Sequence, residues 1–204
     1  MKSKRRRAAA GLLAAVLAVG LAGCYLPRDF TAVVRIGRSG AYWLEYDGTL
    51  TRVPLYKDIR RGEISGDARE KRIRQAADSL RNIPGFEEVA HTRNGTFEVK
   101  YRFQGRLRGA DMVTFVRRNA RVFSVKSDEN GRVTVSGVSL SKQRRKRLKN
   151  LALDMEGTFG VVTDADVKKH NADEVRQRDQ GVRAYVWHIE SMADPSPNLV
   201  LQLP

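Results

Sequence analysis

One thiol and two clusters of charge are the side chains in this 204-residue sequence whose types and spacing could do chemistry. Cys24 is the single cysteine, which excludes both an intramolecular disulfide and a cysteine-based metal cluster. It lies directly behind an uncharged apolar stretch at residues 8–22, itself preceded by the positive segment KSKRRR at residues 2–7. Fifteen apolar residues are fewer than the roughly 20 that span a bilayer, so the pattern is that of an export signal and not of a membrane-spanning helix. The first charged cluster, Ser141 to Asn150, packs Lys142, Arg144, Arg145, Lys146, Arg147 and Lys149 into ten residues. Such a run offers a positive patch to anionic lipid, lipopolysaccharide or an acidic partner, each charge near a leaflet adding about 1 kcal/mol of attraction. The same residues would equally serve as a solvated helix face. The second cluster, DADVKKHNADE, holds Asp164, Asp166, His170, Asp173 and Glu174. A calcium loop needs Gly at its sixth position and oxygen ligands at alternate positions, where Lys168 and Lys169 intrude. A turn-rich connection without metal is the expectation there.

Leu21-Ala22-Gly23-Cys24 resembles the lipobox of bacterial lipoproteins: an apolar residue first, small residues in the middle and an obligatory cysteine last. The small residues let a peptidase reach the backbone, while the thiol accepts a diacylglycerol group through a thioether bond. The resemblance implies that Cys24 becomes the new N-terminus and is acylated in turn, as with palmitate. Each buried methylene contributes about 0.8 kcal/mol, so two or three chains anchor stably where one binds only marginally. The arginines ahead of the apolar stretch lack the polar and aromatic positions of a twin-arginine signal, which favours the Sec route. Tyr25, and not Asp, follows the cysteine; in a Gram-negative cell the resemblance implies sorting to the outer membrane, and otherwise anchoring in the cell membrane.

Enzymatic motifs are missing. There is no G-x-S-x-G elbow and no phosphate loop of the G-x-x-x-x-G-K-[ST] kind. His91, His170 and His188 lie far apart without paired helical spacing, so a zinc site is not expected. The reading is a protein without catalytic residues and without a cofactor.

The formal charge of +15 is inflated by the leader. Five of the 38 basic residues leave with residues 1–23, and 33 then face 23 acidic ones, a net of about +10. A chain this basic is drawn to anionic surfaces, and for an exported protein that means phospholipid, glycolipid or an acidic envelope protein, not nucleic acid. With 41 % hydrophobic residues spread along the mature part, it can bury a core.

The elements that would position these groups follow from periodicity. Residues 24–29 read as a short lipidated tether reaching no further than about 20 Å, and 30–204 as a single domain. Phe30 to Ile36 alternates as a strand; Tyr42, Leu44 and Tyr46 form a second; Asp47-Gly48 reads as a turn, and Leu50 to Tyr56 as a third strand in which Pro54 marks an edge or a break. Ile73, Ala76, Ala77 and Leu80 have helical spacing, predicting a helix from a cap at Asp67 to Arg81. Asn94-Gly95 joins Phe86–His91 to the alternating run Phe97–Phe103 as a hairpin. Residues 110–118 read as a short helix, and 121–126 and 132–139 as a strand pair. Further strands are expected at about 155–163, 182–190 and 198–203. This order predicts an α+β domain, an antiparallel sheet of hairpin meanders packed by two or three helices, with no internal repeat. The aromatic residues Tyr42, Trp43, Tyr46, Phe97, Tyr101, Phe103, Tyr185 and Trp187 fall at strand spacing, which means core or, alternatively, the wall of a cavity for an acyl chain.

GTFGVVTDADVKKHNA, followed by Tyr185-Val186-Trp187, resembles the end of the LppM-like lipoproteins, in which a strand, a turn and a Trp-containing strand close an α+β domain behind a lipobox. The match covers the lipobox and about 35 residues, and it departs at the C-terminus, where those relatives typically carry a transmembrane helix. Two functions are expected from these readings. One is a non-enzymatic, membrane-anchored envelope module facing the periplasm or cell exterior; the other is a carrier of an amphiphile such as a lipid or glycolipid.

Overall fold

The computed structural model describes residues 25–117, 120–178 and 181–204. The leader and the lipobox residues Leu21, Ala22, Gly23 and Cys24 lie outside the described residues.

The first described residue is already in a strand. β1 (Tyr25–Ile36) pairs antiparallel with β2 (Ala41–Arg52), from Tyr25 opposite Arg52 to Ile36 opposite Tyr42. Residues 25–29, expected as tether, therefore belong to the sheet, and Leu26 is buried. Period-two reading missed them because the register shifts between Arg28 and Thr31. A bulge inserts one residue and swaps the faces, so the alternation that starts at Phe30 does not extend backwards. The bulge also explains Asp47-Gly48, which is no turn but the interior of β2. Gly48 has φ +147°, and a Cβ there would lie 2.6 Å from the Asp29 carbonyl oxygen. Only glycine admits that approach.

Beyond Arg52 the expected third strand is instead α1 (Val53–Arg60). Pro54 stands in its first turn, where the missing N–H would have had no partner anyway. α2 (Gly66–Arg81) buries Ile73, Ala76, Ala77 and Leu80, the stripe that helical spacing predicts. Its N-cap is Ser65, and Asp67 sits one step inside, complementing the positive end of the helix. β3 (Phe86–Arg93) and β4 (Thr96–Arg106) form the expected hairpin, with Asn94 and Gly95 at φ +47° and +75° as a tight primed turn demands.

Residues 112–117 are a strand where a helix was expected. β5 (Met112–Arg117) pairs with β6 (Ala120–Ser127), setting Phe115 opposite Phe123. Val113, Phe115 and Val116 prefer a pleated surface, and a partner strand was at hand. β7 (Arg132–Gly137) follows, then α3 (Lys142–Lys149) and β8 (Gly157–Thr163). The connection expected after β8 holds two short strands, β9 (Asp166–His170) and β10 (Glu174–Gln177), before β11 (Arg183–Ile189) and β12 (Asn198–Gln202). Both are polar edge strands, which carry no alternation to read.

The result is an α+β fold with two sheets: β10-β11-β8-β1-β2-β4-β3 and β5-β6-β7-β12-β9. Every pairing is antiparallel except that of β1 with β8, which sets Phe30 beside Gly157 and Ile36 beside Thr163. Aromatic rings bridge the sheets at Tyr46 to Phe115, 4.6 Å, and Phe123 to Phe159, 5.5 Å, and continue within each sheet from Phe115 to Phe123 at 5.0 Å and from Phe159 to Trp187 at 5.5 Å. Of the aromatics expected in the core, Trp43 is 46 % exposed and Phe103 only partly buried.

Candidate membrane-facing site

The basic run forms a real helix. Ser141 caps α3, its Oγ accepting the backbone N–H of Arg144 at 3.3 Å, and Lys146, Arg147 and Lys149 lie in the last turn, where cations suit the negative helix end. Leu148 is buried and pins the helix to the core. Arg144 and Arg145 are half-buried, while Lys142, Lys146, Arg147 and Lys149 are exposed. Among the described residues, no acidic group stands within 4 Å of any of these six cations. Arg145 borders a cleft of about 230 Å³ walled by Leu140, Met155, Ile189, Met192 and Pro197.

The topology puts α3 at the end of the sheets where the chain enters. β7 runs antiparallel to β6, with Gly137 opposite Phe123, so it finishes toward the end at which Arg117 meets Ala120. β8 leaves α3 and runs parallel to β1. Both ends of the α3 connection therefore lie toward the start of β1. Tyr25 marks that start: burial pushes its hydroxyl up, and the guanidinium groups of Arg52 and Arg117 beside it pull it back. Arg117 is held by Ser79, donating to its Oγ at 3.0 Å and to its carbonyl oxygen. Neither arginine announces itself in the sequence, since they come from β2 and β5 and meet only through folding.

Several acidic groups toward this end are engaged. Asp29 pairs with Arg28 at 3.5 Å and bonds the Glu156 carboxyl, which it holds above the usual carboxylate range. Asp58 pairs with Arg72 at 2.8 Å, and Asp154 Oδ1 accepts the N–H groups of Met155 and Met192, each at 2.8 Å. Asp194 takes the N–H groups of Glu190 and Ser191, which hold its carboxyl low.

The acidic connection is dispersed across the two sheets. Asp164 accepts the Arg38 backbone N–H at 2.8 Å, Asp166 pairs with Lys168, Asp173 accepts the His188 N–H at 2.8 Å, and Glu174 forks onto Arg176 at 2.6 Å. His170 packs its ring on Tyr185, and His91 on Phe97. Among the described residues no group of three or more His, Cys, Asp and Glu side chains could hold a metal ion. A hollow of about 420 Å³ lies at the opposite end, between Arg38, Gly40, Leu107, Asp128 and Leu203. No described helix is long and apolar enough to cross a membrane.

Asn171 is a junction that sequence reading passed over. Its Oδ1 accepts from Trp187 Nε1 at 2.9 Å and from the Asn198 N–H at 2.7 Å, and its Nδ2 donates to the Ser196 carbonyl at 3.0 Å. It thereby ties β11 of one sheet to β12 of the other.

No protein-family profile matches the chain, and no curated protein matches it in sequence. Among solved structures it is similar in outline to the folded domain of the LppM protein of Mycobacterium tuberculosis, determined by NMR. The identity is 9 %, the TM-score 0.38, and the alignment covers 88 % of this chain and 90 % of that one.

Proposed function

We propose that the chain is an exported lipoprotein, held to a membrane by acyl chains on Cys24, whose domain is a non-enzymatic binding or interaction module of the cell envelope. The observation that carries this reading is the lipobox Leu21-Ala22-Gly23-Cys24 behind a basic and then apolar leader. It ends at Cys24, one residue ahead of Tyr25, which in the described fold is paired opposite Arg52. Cleavage ahead of Cys24 would thus remove the leader while keeping every strand of the described fold. Tyr25 behind the cysteine favours the outer membrane where the cell has one. The bridging aromatic rings occupy the interval between the sheets, which supports the module reading over a carrier with a sheet-lined cavity.

Metabolic labelling with a palmitate analogue tests the anchor. The native chain is expected to label and to shift in mass by a diacylglycerol plus an acyl group at Cys24. Cys24→Ser is expected to give an unlabelled, uncleaved precursor. A mature N-terminus beyond residue 24 without lipid overturns the proposal.

A further inference from the structure

We infer that the domain docks on an anionic leaflet by the end of the sheets at which the chain enters, with α3 as a second contact beside the anchor. This rests on the proposed lipidation of Cys24 and goes further, since an anchored domain on a linker would be free to point anywhere.

No residue separates Cys24 from the paired Tyr25. Consecutive Cα atoms lie about 3.8 Å apart, so the anchoring residue is one step from a residue already paired in the sheet. A flexible linker of n residues would instead let the domain wander over roughly 5–6 Å × √n. With Tyr25 already paired in β1, whatever surrounds it stays close to the headgroups.

What surrounds it is basic. Arg52 stands opposite Tyr25 in β2, the charge of Arg117 reaches the Tyr25 hydroxyl, and α3 hangs between the ends of β7 and β8 that lie toward the same end. Asp29, Asp58 and Asp154 there are engaged with Arg28, Arg72 and backbone N–H groups, and the six cations of α3 have no acidic partner within 4 Å among the described residues. Attraction to a charged leaflet decays over about 8 Å in physiological salt, so only a face held close by its anchor gains from it.

The test uses the full lipidated chain, reconstituted in phosphatidylcholine vesicles with or without phosphatidylglycerol and with nitroxide-labelled lipid. Gln143→Cys on α3, or Ser39→Cys at the far end, supplies one free thiol for a fluorophore, because the Cys24 sulfur is a thioether. The label at 143 should be quenched in phosphatidylglycerol vesicles and the label at 39 should not. High salt, or neutralising Arg144, Arg145 and Arg147 to Ser, should abolish the quenching while the protein still floats with the vesicles. Equal quenching at 143 and 39, or quenching at 143 that ignores phosphatidylglycerol and salt, overturns docking and leaves anchoring intact. Quenching at neither position also overturns it, in favour of an acidic protein as the partner of α3. A native chain that does not float with vesicles of either composition sinks the anchor itself.

Discussion

The ring of Phe115 lies 4.6 Å from that of Tyr46, and this contact joins the five-stranded sheet to the seven-stranded one. Phe115 also meets Tyr101 at 4.8 Å, Phe123 at 5.0 Å and Phe86 at 5.9 Å, all from a fully buried position. It is the hub of the interior.

Phe115→Ala is accordingly expected to destabilise the domain by about 3–5 kcal/mol, the range for emptying a buried aromatic site. Phe115→Leu, which keeps most of the volume, should cost less. Urea denaturation followed by tryptophan fluorescence reads both; a loss below about 1 kcal/mol for the alanine variant contradicts the packing described.

Phe30 sits between two glycines, Gly48 on β2 and Gly157 on β8. A Cβ on Gly48 would come within 2.6 Å of the Phe30 backbone, and one on Gly157 would strike the Phe30 ring and lie 2.5 Å from its carbonyl oxygen. Both glycines have positive φ, +147° and +155°. Gly48→Ala and Gly157→Ala should each cost about 1–3 kcal/mol in strain. Gly160→Ala, with its nearest neighbour at 3.8 Å, is the control and should stay within about 0.5 kcal/mol of the native chain.

Asn171→Ala removes three hydrogen bonds that link β11 to β12. The side chain is exposed, so water compensates in part, and a loss of about 1 kcal/mol is expected. Trp187 loses its Nε1 partner, so its fluorescence should change as well. An unchanged spectrum and stability would show that the junction does not hold the sheets.

Glu156 supplies a dependence on pH. Its neighbour Asp29 raises its carboxyl above the usual range, so the folded chain binds that proton more tightly than the unfolded chain does. The stability from this pair is complete below the unfolded carboxylate value and is lost as pH rises through the folded one. Glu156→Gln removes the like charge and keeps a donor for Asp29. Its melting temperature should match the native chain below about pH 4 and exceed it at neutral pH. Melting curves across that range check the sign; an advantage that shrinks as pH rises refutes it.

Elements specified by neighbours in the chain were readable. Ile73, Ala76, Ala77 and Leu80 repeat at helical spacing whatever they pack on, and Asn94-Gly95 needs no distant partner to turn a hairpin. Cys24 and the cations of residues 142–149 were legible for the same reason, as residue types in a row. Elements whose state depends on a remote strand were not. Residues 112–117 read as a helix until Phe123 stands opposite Phe115. Asp166–His170 and Glu174–Gln177 are strands only because the edges of two different sheets were open to them.

By itself, then, the sequence determined the α+β class, the principal helix, the hairpins and the run of six cations. The tertiary structure alone decided that the strands divide into two sheets, that residues 25–29 are strand and not tether, and that α3, Arg52 and Arg117 lie toward the end where the chain enters. The physical reason is the parallel pairing of β1 with β8, which sets Phe30 beside Gly157. Contacts across such a separation are chosen by which faces and edges remain to be covered, and local periodicity carries no record of that choice.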